Sequence, residues 1–82
     1  MESYPSGWNV ENRQLTKTFE KKSFVDAVVF VNRIAKAAEE MNHHPDVEIF
    51  AYKKVKVKLF THITDSITKK DVELAERIDK LA

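Results

Sequence analysis

Residues 54–59 read Lys-Val-Lys-Val-Lys-Leu, an order that few local structures tolerate. The two-residue period sends Val55, Val57 and Leu59 to one side and Lys54, Lys56 and Lys58 to the other. The segment is therefore a strand with one buried face and one wet face, and the reading extends it over residues 54–61. Such a strand needs a covering layer for its valines. In a chain of 82 residues that layer has to come from very few elements.

Residues 8–10 and 15–19 read as two short strands joined by a turn at Glu11-Asn12-Arg13, an N-terminal hairpin. The single glycine, Gly7, leaves few places for sharp left-handed turns. Ser23 followed three residues later by Asp26 has the form of a helix start. From there Phe24, Ala27, Val28, Val31, Ile34, Ala35, Ala38 and Met41 recur at three- and four-residue steps, the apolar stripe of an amphipathic helix. That helix ends near Asn42, because Pro45 disfavours helical geometry just before it. Residues 47–51 form a third strand. A last helix starts at Thr68 and buries Leu74, Ala75, Ile78 and Leu81. The order β-β-α-β-β-α predicts an α+β fold in two layers, a four-stranded antiparallel sheet with two helices packed on one face. Residues 1–82 make one domain.

Composition excludes several classes of function. With no cysteine there is no disulfide, thiolate metal site or thiol nucleophile. Fourteen basic against 13 acidic side chains leave a net charge of +1, too little surplus for phosphate neutralisation, so no direct nucleic-acid binding is expected. No run approaches the roughly 18 apolar residues of a membrane span, and residues 1–5 lack the regions of a signal peptide, so the expected location is the cytoplasm.

All three histidines lie between Glu39 and Asp71, at positions 43, 44 and 62. Histidine is the one side chain whose unperturbed pKa, about 6.5, puts both protonation states within reach near neutrality. Three imidazoles in one place can give and take protons in the same turnover. Glu39 and His43 are four residues apart, so on a helix that reaches His43 the carboxylate would fix the ring's tautomer; an ordinary helix-end pair reads equally well. Pro45 limits the loop after His43-His44 and can pre-set both rings. By strict alternation His62 lies on the lysine face with Phe60, at a strand end, where scaffolds present working side chains. Asp71, three residues after Thr68, is explained by a capping box, and Tyr52 by sheet or core packing. Three histidines can also hold zinc, but adjacent His43 and His44 diverge and no His-x₃-His pair exists; no metal site is expected.

The string Glu39…His43-His44-Pro45…Tyr52…His62…Asp71 resembles the signature of the pterin-4a-carbinolamine dehydratases, over nearly the whole chain from Trp8 onward. The resemblance implies a hydro-lyase that eliminates water from 4a-hydroxytetrahydrobiopterin to give quinonoid dihydrobiopterin, in pterin cofactor recycling. It implies His43 and His62 as the proton-transfer pair and His44 as a third catalytic histidine that holds or assists the pterin. Glu39 would support these rings, and Pro45 and Thr61 would border the substrate, Thr61 through its hydroxyl or backbone. No cofactor is implied, since the pterin is the substrate. Two departures stand out: only seven residues precede Trp8, and Asp46-Val47 stand where many members carry an aromatic residue. The family also implies a homodimer or homotetramer, and a thin core with an open sheet edge favours association. The sheet would make the first contact and the last helix, residues 68–82, the second. The alternatives are a dimerisation or binding module without catalysis, and a pterin-site enzyme of molybdenum-cofactor metabolism.

Overall fold

The computed structural model describes residues 4–82, so the sequence reading of Met1, Glu2 and Ser3 lies outside the described residues. Six elements follow in the expected order: β1 (Asn9–Glu11), β2 (Gln14–Glu20), α1 (Phe24–Met41), β3 (Asp46–Phe50), β4 (Lys54–Leu59) and α2 (Lys69–Leu81). The strands form one antiparallel sheet in the order β1-β2-β4-β3. Strand β4 is central. Its Val55 and Leu59 stand opposite Phe19 and Leu15 of β2, and its Val57 and Val55 stand opposite Val47 and Ile49 of β3. The lysines on the other face stand beside Thr16 and Thr18 on one side and Asp46 and Glu48 on the other. Opposite charges placed directly across a strand pair are favourable, which suits a solvated face.

Both helices cover the valine face. Ala27, Phe30, Ile34, Ala37 and Ala38 of α1 join Leu74, Ala75 and Ile78 of α2 and the inward residues of β2 and β4 in a single core. Phe30 and Ile34 are fully buried. Truncating Ile34 to alanine would cost roughly 2–5 kcal/mol, a large share of a small domain's stability. Trp8 is also core: its indole N–H donates to Asp79 at 3.1 Å, and Lys17 pairs with the same carboxylate at 2.8 Å. These contacts pin the N-terminal hairpin to α2.

Three details differ from the sequence reading. Helix α1 is rotated from the expected stripe, so that Phe24 and Val28 are exposed and Phe30 and Ala37 are buried instead. A run of apolar residues around Phe24, Val25, Val28 and Val29 leaves the phase of the helix ambiguous, and the bulk of Phe30 against Phe19 decides it. Strand β4 ends at Leu59, and Thr61 makes only an isolated bridge to Ser66. Glycine proves unnecessary for left-handed turns. Asn12 and Arg13 (φ 50° and 64°) make the two-residue β1–β2 turn, and Ala51 and Tyr52 (φ 47° and 52°) lie between β3 and β4. Tyr52 is therefore an exposed turn residue and packs in neither sheet nor core.

Candidate functional site

The site begins with how α1 ends. Asn42 takes the left-handed conformation (φ 51°), and its N–H bonds to Glu39 at 3.1 Å while the N–H of His43 bonds back to Ala38 at 3.0 Å. This is the Schellman closure, which satisfies the last carbonyls and reverses the chain sharply. Asparagine is the residue, after glycine, that accepts this conformation most readily.

The reversal separates the two adjacent histidines. His43 turns toward the start of α2, where its Nε2 lies 2.6 Å from Oδ1 of Asp71. His44 comes over the last turn of α1 and meets Glu39 at 2.5 Å. The Glu39–His43 pairing expected from the four-residue spacing is thus replaced by Glu39–His44, because the helix stops at Met41 and His43 lies outside it. The two pairs differ in kind. His43 is 11% exposed and Asp71 is completely buried, whereas His44 and Glu39 are 59% and 74% exposed.

Asp71 carries more than a helix cap. Its Oδ2 accepts the N–H of Thr68 at 2.9 Å, as the capping reading requires. The same oxygen accepts the Thr61 hydroxyl at 2.7 Å. Since the single Thr61 proton is used there, the Thr68 hydroxyl donates to Thr61 across 2.8 Å. Oδ1 is left for His43. A ring nitrogen that faces a carboxylate oxygen at this distance carries the proton, so Nε2 is the N–H and Nδ1 of the neutral ring holds the lone pair. The buried carboxylate thereby orients the imidazole. The spacing alone could not have identified this role, because a capping box accounts for Asp71 without it.

His62 is held differently. It lies in the exposed turn of residues 62–65, past the end of β4, with its ring edge-on to Phe60 at 5.1 Å. Strand β4 ends at Leu59, so the alternation that placed His62 on the lysine face does not extend to it, and only its neighbourhood with Phe60 is seen. Thr61 and Ser66 bridge the base of the turn, and Arg13 of the β1–β2 turn pairs with Asp65 at 3.0 Å. Ile63, next to His62, is 96% exposed. No hydrogen bond links His62 to His43 or His44 among the described residues.

Pro45 and Glu39 line a hollow of about 350 Å³ between α1 and β3, together with His44 and the apolar side chains of Val31, Ile34, Ala35, Ala38 and Val47. A larger hollow of about 450 Å³ on the outer side of α2, lined by Tyr4, Ile67 and Val72 among others, contains none of the histidines. Its titratable side chains are Tyr4, Lys69, Glu73 and Glu76, so the histidines are confined to the smaller hollow and to the network around Asp71 and the turn of residues 62–65. Among the described residues no group of three or more His, Asp or Glu side chains could hold a metal ion, and no helix is long and apolar enough to cross a membrane.

The chain was compared with known proteins. The family model described as pterin 4 alpha carbinolamine dehydratase matches residues 1–81. A protein of Herpetosiphon aurantiacus, provisionally named pterin-4-alpha-carbinolamine dehydratase, is 50% identical over 76 residues, covering 93% of this chain and 78% of its own length. One of Sulfolobus acidocaldarius with the same provisional name is 45% identical over 75 residues, covering 92% and 81%. Among solved structures, a transcriptional coactivator/pterin dehydratase from Brucella melitensis superposes with a TM-score of 0.88 at 32% identity, over 94% of this chain and 83% of that one. A pterin dehydratase-like protein identified as a RuBisCO assembly factor in the alpha-carboxysome shares the fold, with a TM-score of 0.73 at 23% identity over 99% and 90%.

Proposed function

The chain belongs to the pterin 4 alpha carbinolamine dehydratase family, and from that premise we propose that it eliminates water from a 4a-hydroxytetrahydropterin to give the quinonoid dihydropterin. The single observation that carries the reading is the buried Asp71–His43 pair. It supplies a ring whose proton is assigned to one nitrogen and whose other nitrogen keeps a lone pair, the requirement for a general base or, once protonated, a general acid.

Elimination from a carbinolamine breaks the C4a–O bond. One proton goes to the departing hydroxyl and one leaves a ring nitrogen, so the step is redox-neutral and needs no electron carrier. His43 and His62 are the proposed proton-transfer pair. His44, braced by Glu39, holds the pterin near Pro45 and the apolar hollow beside it. Thr61 enters differently from the sequence expectation: its hydroxyl is engaged by Asp71 and Thr68 and its backbone by Ser66, so in this reading it borders the substrate by surface contact alone. In this reading the protein works as a homo-oligomer in the cytoplasm, and its physiological role is recycling of a pterin cofactor.

The test is a dehydration assay on a 4a-hydroxytetrahydropterin with the native protein beside His43→Ala and His62→Ala. Acceleration over the spontaneous reaction, lowered by either substitution, is expected. A native protein no faster than buffer would overturn the reading.

A further inference from the structure

Thr61 stands where the two histidine environments meet, and the inference drawn from it rests on the dehydratase reading above. It directly precedes His62. Its backbone closes the base of the His62 turn, with its N–H on the Ser66 carbonyl at 3.1 Å. Its hydroxyl points the other way, into the buried network, and donates to Oδ2 of Asp71 at 2.7 Å. The other oxygen of that carboxylate receives Nε2 of His43. A single side chain thus connects the turn that carries His62 to the acid that sets His43.

Neither packing nor capping accounts for the hydroxyl. The N–H of Thr68 already reaches Asp71 at 2.9 Å, so the cap of α2 is made without Thr61. Valine has the same shape and would fill the space without a polar atom. What the hydroxyl adds is a second close donor on Oδ2 beside the Thr68 N–H, so that with His43 on Oδ1 the buried carboxylate is held from three sides instead of two. We propose that Thr61 is a positioning residue: its hydroxyl fixes the Asp71 carboxylate so that His43 keeps its proton on Nε2 and its lone pair on Nδ1, and it holds the His62 turn in register with that ring. The hydroxyl itself touches no reacting atom.

The test compares Thr61→Val with Thr61→Ser in the full chain. Nitrogen-15 spectra of the substrate-free protein should give His43 with Nε2 protonated and Nδ1 bare. In Thr61→Val the two tautomers should mix, and in Thr61→Ser the native pattern should return. In the dehydration assay, Thr61→Val should lower kcat by roughly tenfold with KM little changed, as expected for a misoriented group, and serine should restore most of it. A folded Thr61→Val with native His43 signals would overturn the proposal, as would a serine variant that behaves like valine. Should Thr61→Val fail to fold, the native protein decides by its Thr61 hydroxyl proton. A slowly exchanging signal with a contact to the His43 ring supports the proposal, and fast exchange with water refutes it. If the native protein shows no dehydratase activity, the spectra still judge Thr61, so failure of the functional reading remains separate.

Discussion

In the proposed reaction His43 and His62 serve the same chemistry, and the structure holds them by opposite means. His43 is placed by a helix terminus, a chain reversal and a buried carboxylate, and its ring is almost wholly enclosed. His62 is carried by an exposed turn that rests on Phe60, is closed at its base by Thr61 and Ser66, and is tied at Asp65 by an exposed ion pair to Arg13. The first ring is fixed by a buried partner, and the second stands exposed where a substrate can reach it. An elimination that needs two proton transfers can use such a division, with one partner fixed in advance and one open to the substrate.

The sharpest way to break the comparison is at Asp71. Asp71→Ala should cost about 3 kcal/mol of stability, because the Thr68 N–H, the Thr61 hydroxyl and the His43 ring all lose their shared acceptor in a buried place. Urea unfolding would measure it. A loss below the scatter of ordinary surface substitutions would mean that the carboxylate is not the centre of this network.

Next come the histidines themselves. His43→Ala and His62→Ala should each lower kcat by about 10²–10⁴-fold, the usual contribution of a placed acid or base. Their stabilities should differ. His43→Ala strands one oxygen of a buried acid and should cost about 1–2 kcal/mol, whereas His62→Ala should stay within about 0.5 kcal/mol of the native protein. Equal stability losses in the two variants would erase the contrast. His44→Ala should act mainly on KM, since its pairing with Glu39 is exposed and contributes little to folding, about 0–1 kcal/mol. A large fall in kcat at unchanged KM would move His44 into the proton-transfer role.

The smallest effect is expected at the strap on the His62 turn. Arg13→Ala should cost no more than about 0.5 kcal/mol and should lose its effect at high salt, as exposed ion pairs do. Amide exchange of residues 62–65 should quicken while that of α1 stays unchanged. Unaltered exchange in the turn would show that Thr61 and Ser66 alone hold it.

How much of this could be read in the sequence follows from which forces are local. The Lys-Val alternation of β4 and the start of α2 at Thr68 are written in adjacent residues, and the structure agrees with both. The phase of α1 was not legible, because valine and phenylalanine occupy nearly every position of its first two turns. Only tertiary packing of Phe30 on Phe19 selects the buried face. The histidines were legible as candidates, but their partners were not. Asn42 in the left-handed region reverses the chain, and that one residue exchanges the expected Glu39–His43 pair for Glu39–His44 and delivers His43 to Asp71. An aspartate at the third position of a helix announces a cap, and nothing in its spacing announces a second partner 28 residues away.

The central claim is that His43 and His62, so differently held, serve one reaction step. The most direct test is the double variant, His43→Ala with His62→Ala, assayed for dehydration of a 4a-hydroxytetrahydropterin beside each single variant. Residues that act as a unit are strongly non-additive, so the double variant should be no more than slightly slower than the slower single variant. A double variant whose defect is the product of the two single defects would show that the rings act independently, and would contradict the account.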